Sequence, residues 1–258
     1  MSAGVPGAGP LWRETRSGLA ASALGGSGLL RVDKPGGVTS HDVVDRVRRR
    51  FKVKGAGHLG TLDPAASGLL VLALGAATRC ARIWQAGCKT YEGVVRFGVV
   101  TGTQDLQGEV LERHEVALSE SEVRAATLGF VGEIEQVPPM VSALKVGGRR
   151  LYKLARRGEE VERAPRRVTV HSWEWLGMAL PEARFRVVVS SGTYVRTLAH
   201  DLGQKFGCGA HLCALRRTAI DRFRIDAALP LEEIEKLPVS EIEKRLLPVY
   251  EVVPSFVA

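Results

Sequence analysis

Residues 57 to 68 read Gly-His-Leu-Gly-Thr-Leu-Asp-Pro-Ala-Ala-Ser-Gly, and the rest of the chain can be interpreted around them. The three glycines permit backbone conformations that a side chain would block, and Pro64 disfavours a helical conformation at Asp63. The apolar run from Leu69 to Leu74 follows between two glycines, which is typical of a short strand buried on both faces. We therefore expect one carboxylate, Asp63, in a rigid turn that is anchored in the core.

Asp-Pro in a glycine-rich loop is often no more than a turn, but the whole string is far more specific. Twelve fixed positions fall within 23 residues: Gly57, His58, Gly60, Leu62, Asp63, Pro64, Ala66, Gly68, Gly75, Ala77, Thr78 and Arg79. This pattern closely resembles the catalytic signature of the TruB family of tRNA pseudouridine synthases. The resemblance implies that Asp63 is the catalytic residue. It also implies a substrate-binding role for Arg79, where the family usually has lysine.

Composition indicates a globular protein with a polyanionic partner. The 258 residues include 36 Lys plus Arg against 28 Asp plus Glu, a net charge of +8, although a solvated basic surface would give the same balance. No run of 18 apolar residues is present, so we expect no membrane span. The four cysteines have neither the spacing of zinc sites nor that of a disulfide framework, which favours reduced thiols in the cytoplasm and no metal.

The chain divides into three parts by composition and resemblance. Residues 1–28 are rich in Gly, Ala, Ser and Pro and are predicted to be a disordered extension. The resemblance covers about 29–228 and implies an α+β catalytic domain, with a mixed, largely antiparallel central sheet flanked by helices. Residues 229–258 are expected to be a short C-terminal tail, without the complete RNA-binding PUA domain that family members commonly add.

The first elements should be a strand from Leu29 and a helix over 41–51. Thr39 and Asp42 have capping-box spacing, and valines recur every four residues along the helix. The opposite helix face carries four arginines, which are either an anion-binding surface or a solvated face. The Lys-Pro-x-Gly turn that begins at Lys34 resembles the family's opening motif, and it makes Lys34 a candidate substrate-binding residue.

Two further motifs follow the buried strand. A Lys-x-Tyr motif precedes a strand predicted over 94–99, and the family's pattern makes Tyr91 an active-site residue. The polar turn that begins at Thr101 resembles the family's Thr-x-Thr-x-Asp-x-x-Gly loop, which makes Asp105 a candidate second carboxylate near the base. Capping-box spacing at Ser119 predicts a helix to about Phe130.

Residues 138–167 are a distinct basic segment. Between Lys145 and Arg167 there are nine basic and three acidic residues, a density that suits a phosphate backbone. The segment resembles the family's thumb, an insertion that closes over bound RNA, and a solvated loop is the alternative. Lys145, Arg149 and Tyr152 are its candidate RNA-binding residues.

Alternating apolar residues predict strands over 168–175 and 184–189, and helical spacing predicts a helix from Val195. Arg196 falls in the first turn of that helix, where the helix dipole disfavours a cation, so an anionic partner is expected. In the family this arginine pairs with the catalytic aspartate, which here means Asp63. Leu215 matches the apolar residue that packs on the target base.

The resemblance implies conversion of uridine to pseudouridine, with tRNA as partner and the T-loop uridine-55 as target. This reaction consumes nothing and needs no redox cofactor or metal. Asp63 could attack the sugar C1′, add to the base or abstract the 2′ proton, and each route needs it deprotonated, with Arg196 as countercharge. Tyr91 would stack on the base and carry the C5 proton exchange. His58 is the family's candidate to replace the extruded base.

Two other functions stay open on the sequence alone. One is an RNA-binding tRNA chaperone that keeps the fold without the chemistry, and the other is the same chemistry on another RNA. Asp63, Tyr91 and Arg196 are all present, which favours an enzyme over a chaperone. We expect a cytoplasmic monomer.

Overall fold

The structure is a computed structural model that describes residues 27–142, 144–155, 157–159 and 161–249. Residues 1–26 of the predicted extension and 250–258 of the predicted tail lie outside the described residues. In the part that is described, no helix is long and apolar enough to cross a lipid bilayer. All four cysteines are free thiols.

The strands of the described chain are β1 (Gly28–Lys34), β2 (Ala56–His58), β3 (Ser67–Leu74), β4 (Lys89–Phe97), β5 (Val99–Thr101), β6 (Val110–Arg113), β7 (Gly132–Gln136), β8 (Lys145–Val146), β9 (Arg149–Arg150), β10 (Arg166–Ala179), β11 (Glu182–Val189), β12 (Ala210–Ile220), β13 (Phe223–Arg224) and β14 (Leu229–Pro230). The helices are α1 (Ser40–Phe51), α2 (Ala81–Gln85), α3 (Glu120–Leu128), α4 (Leu151–Ala155), α5 (Val195–Lys205), α6 (Leu231–Lys236) and α7 (Val239–Glu243), with 3₁₀ segments at Gly75–Cys80 and Ile225–Ala227.

A ten-stranded sheet forms the centre of the molecule, in the order β14-β1-β3-β12-β4-β11-β10-β7, with β13 beside β12 and β2 beside β3. Only the β1–β14 and β3–β12 pairs are parallel. Helices pack at its sides, so the predicted α+β class and the largely antiparallel sheet are confirmed. The pairs β5–β6 and β8–β9 form two separate small sheets.

Strand β3 is buried on both faces, as its apolar run predicts. Leu70, Leu72 and Leu74 pack into a core with α1 and α6. Leu69 and Val71 point the other way, into a core that includes residues of α2 and β13. Because alternate side chains of a strand face opposite sides, only a strand covered on both sides tolerates such an unbroken apolar run. The turn that carries Asp63 therefore leads directly into the core.

Helix α1 begins at the predicted capping box, in which Thr39 and Asp42 bond each other's backbone and side chain. Its arginines all contact the protein, two of them at exposed positions. Arg46 pairs with Glu235 of α6 at 3.3 Å, and Arg50 donates to a backbone carbonyl at the end of the same helix. These contacts fix α6 against α1.

Strand β4 begins at Lys89 and ends at Phe97, so the strand predicted over 94–99 is longer and is displaced toward the N-terminus. Gly98 has a φ of 84°, a left-handed conformation that breaks the extended backbone, and Val99 then starts β5. The shift places Tyr91 in the middle of a central strand.

Residues 229–247 pack on β1 and α1. Strand β14 pairs with β1, and Leu231, Ile234 and Ile242 of the following helices enter the core beside α1. Leu29 also exchanges backbone hydrogen bonds with Leu247, each at 2.9 Å. The segment that composition alone describes as a tail thus covers one face of the sheet.

Gly93→Ala should destabilise the fold, because a methyl group there would lie 2.7 Å from both the Ala214 carbonyl oxygen and the Phe185 ring. We expect the free energy of unfolding in urea to fall by about 1–3 kcal/mol. Gly177→Ala is the matched control in another strand, since nothing lies within 4 Å of its added methyl group. Equal losses in the two variants would contradict this account of the packing.

Candidate active site

The turn before β3 is held by one buried arginine from β12. Arg217 is 0% exposed, and its Nε donates to the Leu69 carbonyl at 2.8 Å. Its Nη1 and Nη2 donate to the carbonyls of Thr61 and Gly60 at 3.2 and 3.0 Å. A single rigid guanidinium therefore fixes three backbone carbonyls of the turn and of the strand that follows it.

Two more buried side chains hold the other end of this turn. The Ser40 hydroxyl accepts from the Leu62 backbone nitrogen at 2.8 Å and donates to its carbonyl at 3.0 Å. The Lys34 ammonium donates to the carbonyls of Pro64 and Val38 at 3.3 and 2.8 Å. Burial is the main reason that the pKa of Lys34 falls to about 8. The structure thus places Lys34, a predicted substrate-binding residue, beneath the turn and not on a pocket wall.

A cavity of about 360 Å³ opens above this turn. Five residues predicted for the site line it together, namely Asp63, Tyr91, Arg196, His58 and Leu215. They come from the turn, from β2, β4 and β12, and from the start of α5. The other lining residues are Leu59, Gly60, Thr61, Leu62, Gln85, Lys89, Arg166, Ser191, Gly192, Thr193, Tyr194, Val195 and Arg217.

Arg196 lies between two carboxylates. Its Nε is 3.5 Å from Asp63 Oδ2, and its Nη1 is 3.7 Å from Asp105 Oδ2. The arginine side chain is 3% exposed, whereas that of Asp63 is 36% exposed and reaches the cavity. Nη2 donates to the Val141 carbonyl at 2.5 Å. The first-turn position of this cation is therefore explained by anionic partners, as the sequence predicts.

The Asp63 carboxyl has a raised pKa because burial in the cleft disfavours its charged form. Arg196 opposes this effect, while the negative charge of Asp105 adds to it. Lys34, beneath the turn, lowers the pKa by a smaller amount. The arginine thus reduces the upward shift without cancelling it.

Asp105 is fixed by its own loop. Its Oδ1 accepts from the Thr103 hydroxyl and from the Gln107 backbone nitrogen, the latter at 3.0 Å. Its backbone carbonyl accepts from the Thr101 hydroxyl at 2.7 Å. These bonds leave Oδ2 directed at Arg196, so the polar loop presents one carboxylate oxygen to the arginine.

Tyr91 and Leu215 belong to neighbouring antiparallel strands. Tyr91 is 7% exposed and stands opposite Arg217, whose guanidinium carbon is 6.0 Å from the ring centroid. Leu215 lies two residues before Arg217 on β12, so its side chain emerges on the same face. The pocket therefore has an aromatic surface and an aliphatic surface beside the Asp63 carboxylate.

His58 enters the pocket from β2 with a lowered pKa, chiefly because of burial and then because of the Arg217 charge. Its Nδ1 is buried and has no hydrogen-bond partner. The imidazole is therefore neutral near pH 7. His58 follows Lys54, the last lysine of the preceding loop, by four residues.

Sequence reasoning assigned no site role to Lys89 or Tyr194, which also line the pocket. The Lys89 ammonium donates to the Gln85 carbonyl at 2.9 Å, and burial lowers its pKa to about 8. The centroid of the Tyr194 ring is 4.7 Å from the guanidinium carbon of Arg166 and 5.6 Å from that of Arg196. Lys89 opens the Lys-x-Tyr motif and Tyr194 lies two residues before Arg196, so closeness in sequence to predicted site residues was the available signal.

Other predicted substrate-binding residues lie outside the pocket. Arg79 is exposed on the 3₁₀ segment after β3. Arg149 is exposed in the β8–β9 hairpin of the basic segment and pairs with Glu159 at 3.3 Å. The side chains of Lys145 and Tyr152 fall outside the described part of the chain. Among the described residues, no group of three or more His, Cys, Asp or Glu side chains is arranged to hold a metal ion.

Comparison with known proteins shows the family to which the chain belongs. The model of the TruB family pseudouridylate synthase N-terminal domain matches residues 48–195, and that of the tRNA pseudouridylate synthase B C-terminal domain matches 196–253. The chain belongs to the TruB family of pseudouridylate synthases. A tRNA pseudouridine synthase B of Opitutus terrae is 54% identical over 231 residues, covering 89% of this chain and 96% of that protein. One from Burkholderia pseudomallei is 48% identical, covering 89% and 76%.

Solved structures of more distant relatives share the fold. A Cbf5-Nop10-Gar1 complex matches with a TM-score of 0.69 and 27% identity, covering 94% of this chain and 66% of that chain. An H/ACA RNP bound to a substrate RNA containing 2′-deoxyuridine matches with a TM-score of 0.65 and 26% identity, covering 87% and 60%. This chain spans less than two thirds of the length of those two chains. The match supports the pseudouridine synthase fold.

Opposite charge changes beside Asp63 should move its pKa in opposite directions. Asp105→Asn removes a negative charge and should lower the pKa of Asp63, whereas Arg196→Gln removes the opposing positive charge and should raise it further. Carboxyl ¹³C shifts of labelled aspartate, followed by NMR over a pH series, measure both. Asp226→Asn, an exposed control outside the pocket, should change nothing. Shifts of the same sign in both site variants would contradict the arrangement.

Proposed function

We propose that this chain converts uridine-55 in the T-loop of tRNA to pseudouridine, with Asp63 as its catalytic residue. One observation carries the proposal: Asp63 faces a cavity beside Tyr91 and Leu215 while Arg196 lies 3.5 Å from its carboxylate. The names of the relatives support tRNA as the substrate class. The choice of uridine-55 rests on the resemblance of the catalytic turn to the family signature.

The reaction exchanges one bond for another on the same two partners. The bond between uracil N1 and ribose C1′ breaks, the base turns within the pocket, and C5 bonds to C1′. The C5 proton is lost and N1 gains one, so atoms and charge balance. An ionised Asp63 serves as nucleophile or base in this sequence, and Arg196 stabilises the ionised form.

The pocket walls suit a detached uracil. Tyr91 stacks on one side of the base and carries the exchange of the C5 proton, while Leu215 packs on the other side and excludes water. His58, neutral and at the rim, fills the space that the extruded nucleotide leaves in the RNA. Asp105 acts through Arg196, because its carboxylate contacts that guanidinium.

RNA binding falls to the basic residues and the tyrosine that the sequence predicts for it. Arg79, Arg149, Lys145 and Tyr152 contact the RNA backbone and bases, and the basic segment 138–167 closes over the T stem-loop. Lys34 acts indirectly by holding the catalytic turn. The protein is proposed to act as a monomer. A tRNA substrate together with four free thiols supports a cytoplasmic location.

Asp63→Asn should abolish isomerisation while tRNA binding is retained. Tritium release from a tRNA transcript carrying 5-tritiated uridine measures the reaction, and we expect a loss on the order of 10³-fold or more. Asp226→Asn is the matched control, since it makes the same change at an exposed site outside the pocket. A parent protein that binds tRNA and releases no tritium would overturn the proposal in favour of a chaperone or another RNA substrate.

The acidic limb of the rate profile should follow the ionisation of Asp63. Activity requires the carboxylate, so kcat/KM falls as the pH drops through the pKa of Asp63, which burial sets above the ordinary value of 3.8. Asp105→Asn lowers this pKa and should therefore extend activity to lower pH. Tritium release measured over a pH series gives both profiles. If the acidic limb of the profile is unchanged in Asp105→Asn while NMR shows that the pKa of Asp63 has moved, another group limits the rate.

A further inference from the structure

The chain is unusually basic around the catalytic turn. Between Arg46 and Tyr91 there are nine lysines and arginines, and Asp63 is the only acidic residue. Cations on a protein surface commonly have carboxylates nearby in sequence or space. Here the local sequence supplies only the carboxylate of Asp63, so the anionic partners of these cations must come from outside this stretch of the chain or from a ligand.

Five of these nine cations have protein contacts. In α1, Arg46 and Arg48 form ion pairs, and Arg49 and Arg50 donate to backbone carbonyls. The fifth cation is Lys89, the buried lysine of the pocket. The remaining four, Lys52, Lys54, Arg79 and Arg82, are exposed and form no ion pair within the described residues. We call these four the basic ridge.

The fold brings the two halves of the basic ridge together. Gly55, directly after Lys54, accepts a backbone hydrogen bond from Gly75 at 2.8 Å, and Gly75 begins the 3₁₀ segment that carries Arg79. Arg82 follows in α2, which continues from that segment. The loop at the end of α1 and the segment after β3 thus present their cations on adjoining surface.

Each half of the basic ridge is followed closely in sequence by a residue that lines the pocket. Lys54 is four residues before His58, a lining residue at the end of β2. Arg82 lies about one turn of α2 before Gln85, which lines the pocket on the same side. An RNA whose target base occupies the cavity lays its backbone across the surface around the cavity, and these exposed cations lie on segments that lead to two of its lining residues.

We propose that Lys52, Lys54 and Arg82, together with Arg79, bind the phosphates of the RNA stem that carries the target loop. The inference rests on the proposed function, because it takes the substrate to be a stem-loop. Unpaired ammonium and guanidinium groups bind phosphates without a carboxylate to displace, and each contact releases a counterion. A continuous stem spans more phosphates than the pocket itself can contact.

The test compares two double variants that remove the same charge. Lys54→Gln/Arg82→Gln alters the basic ridge. Arg184→Gln/Arg224→Gln alters exposed arginines that form no ion pair in the described chain. Arg184 lies beside Phe185, whose ring faces the core, so Arg184 is on the outer face of the sheet. Arg224 lines a separate groove with residues of that face.

The readout is the dissociation constant of a T stem-loop hairpin over a salt series. The basic-ridge variant should weaken binding by about 10-fold to 100-fold at 0.1 M salt and flatten the log–log salt slope by about 1.8, at roughly 0.9 per phosphate. The control variant should match the parent. A single strand with only the loop sequence should not distinguish the variants. Thermal unfolding midpoints should be unchanged, because all four altered side chains are exposed.

Tritium release separates failure of this inference from failure of the proposed function. The basic-ridge variant should keep the parent's kcat at saturating hairpin and show a raised KM. An active parent with equal salt slopes in both variants would overturn the basic-ridge proposal alone. Equal losses of binding affinity for the hairpin and for the single strand would do the same. A parent that binds the hairpin without releasing tritium would overturn the proposed function alone. A parent that does not bind the hairpin would overturn both.

Discussion

The geometry of the site depends on the side chains that donate hydrogen bonds to the backbone carbonyls of the turn that carries Asp63. A carbonyl that is buried without a donor costs free energy comparable to a lost hydrogen bond. Here a guanidinium, an ammonium and a hydroxyl from distant segments supply the donors, through Arg217, Lys34 and Ser40. The conformation that presents Asp63 is therefore determined by several independent contacts from distant segments of the chain.

Using cations as these donors also shapes the electrostatics of the pocket. Lys34 and Arg217 are fully buried and donate to carbonyls, so their positive charges are not neutralised by those partners. Arg217 lowers the pKa of both His58 and Lys89, and Lys34 lowers that of Asp63. A positive field of this kind favours an anionic carboxylate and an anionic RNA backbone at the same place. The side chains that support the turn are thus also the ones that, in the proposed function, attract the RNA.

Local patterns predicted the elements, whereas long-range contacts decided what the site residues do. The apolar run of β3, the capping box of α1 and the helical spacing after Val195 each act within a few residues, so the sequence was sufficient for them. The hydrogen bond from Arg217 to Gly60 joins positions 157 residues apart, and no local pattern indicates it. Lys34 has the appearance of an exposed turn lysine until packing buries it. Similarly, the break in β4 depends on the left-handed backbone at Gly98.

The buried basic residues of this chain depend on polar partners within the fold. Cations that folding removes from water must contact carbonyls or carboxylates, because an unpaired buried charge is too costly. Arg196 is the clearest case, since it contacts two aspartates and the Val141 carbonyl and so joins three separate segments. Its position is thus set only when the turn, the polar loop and the start of the basic segment have all assembled. Burial raises the pKa of Asp63, and the guanidinium that opposes this shift reaches its place only when these three segments have assembled.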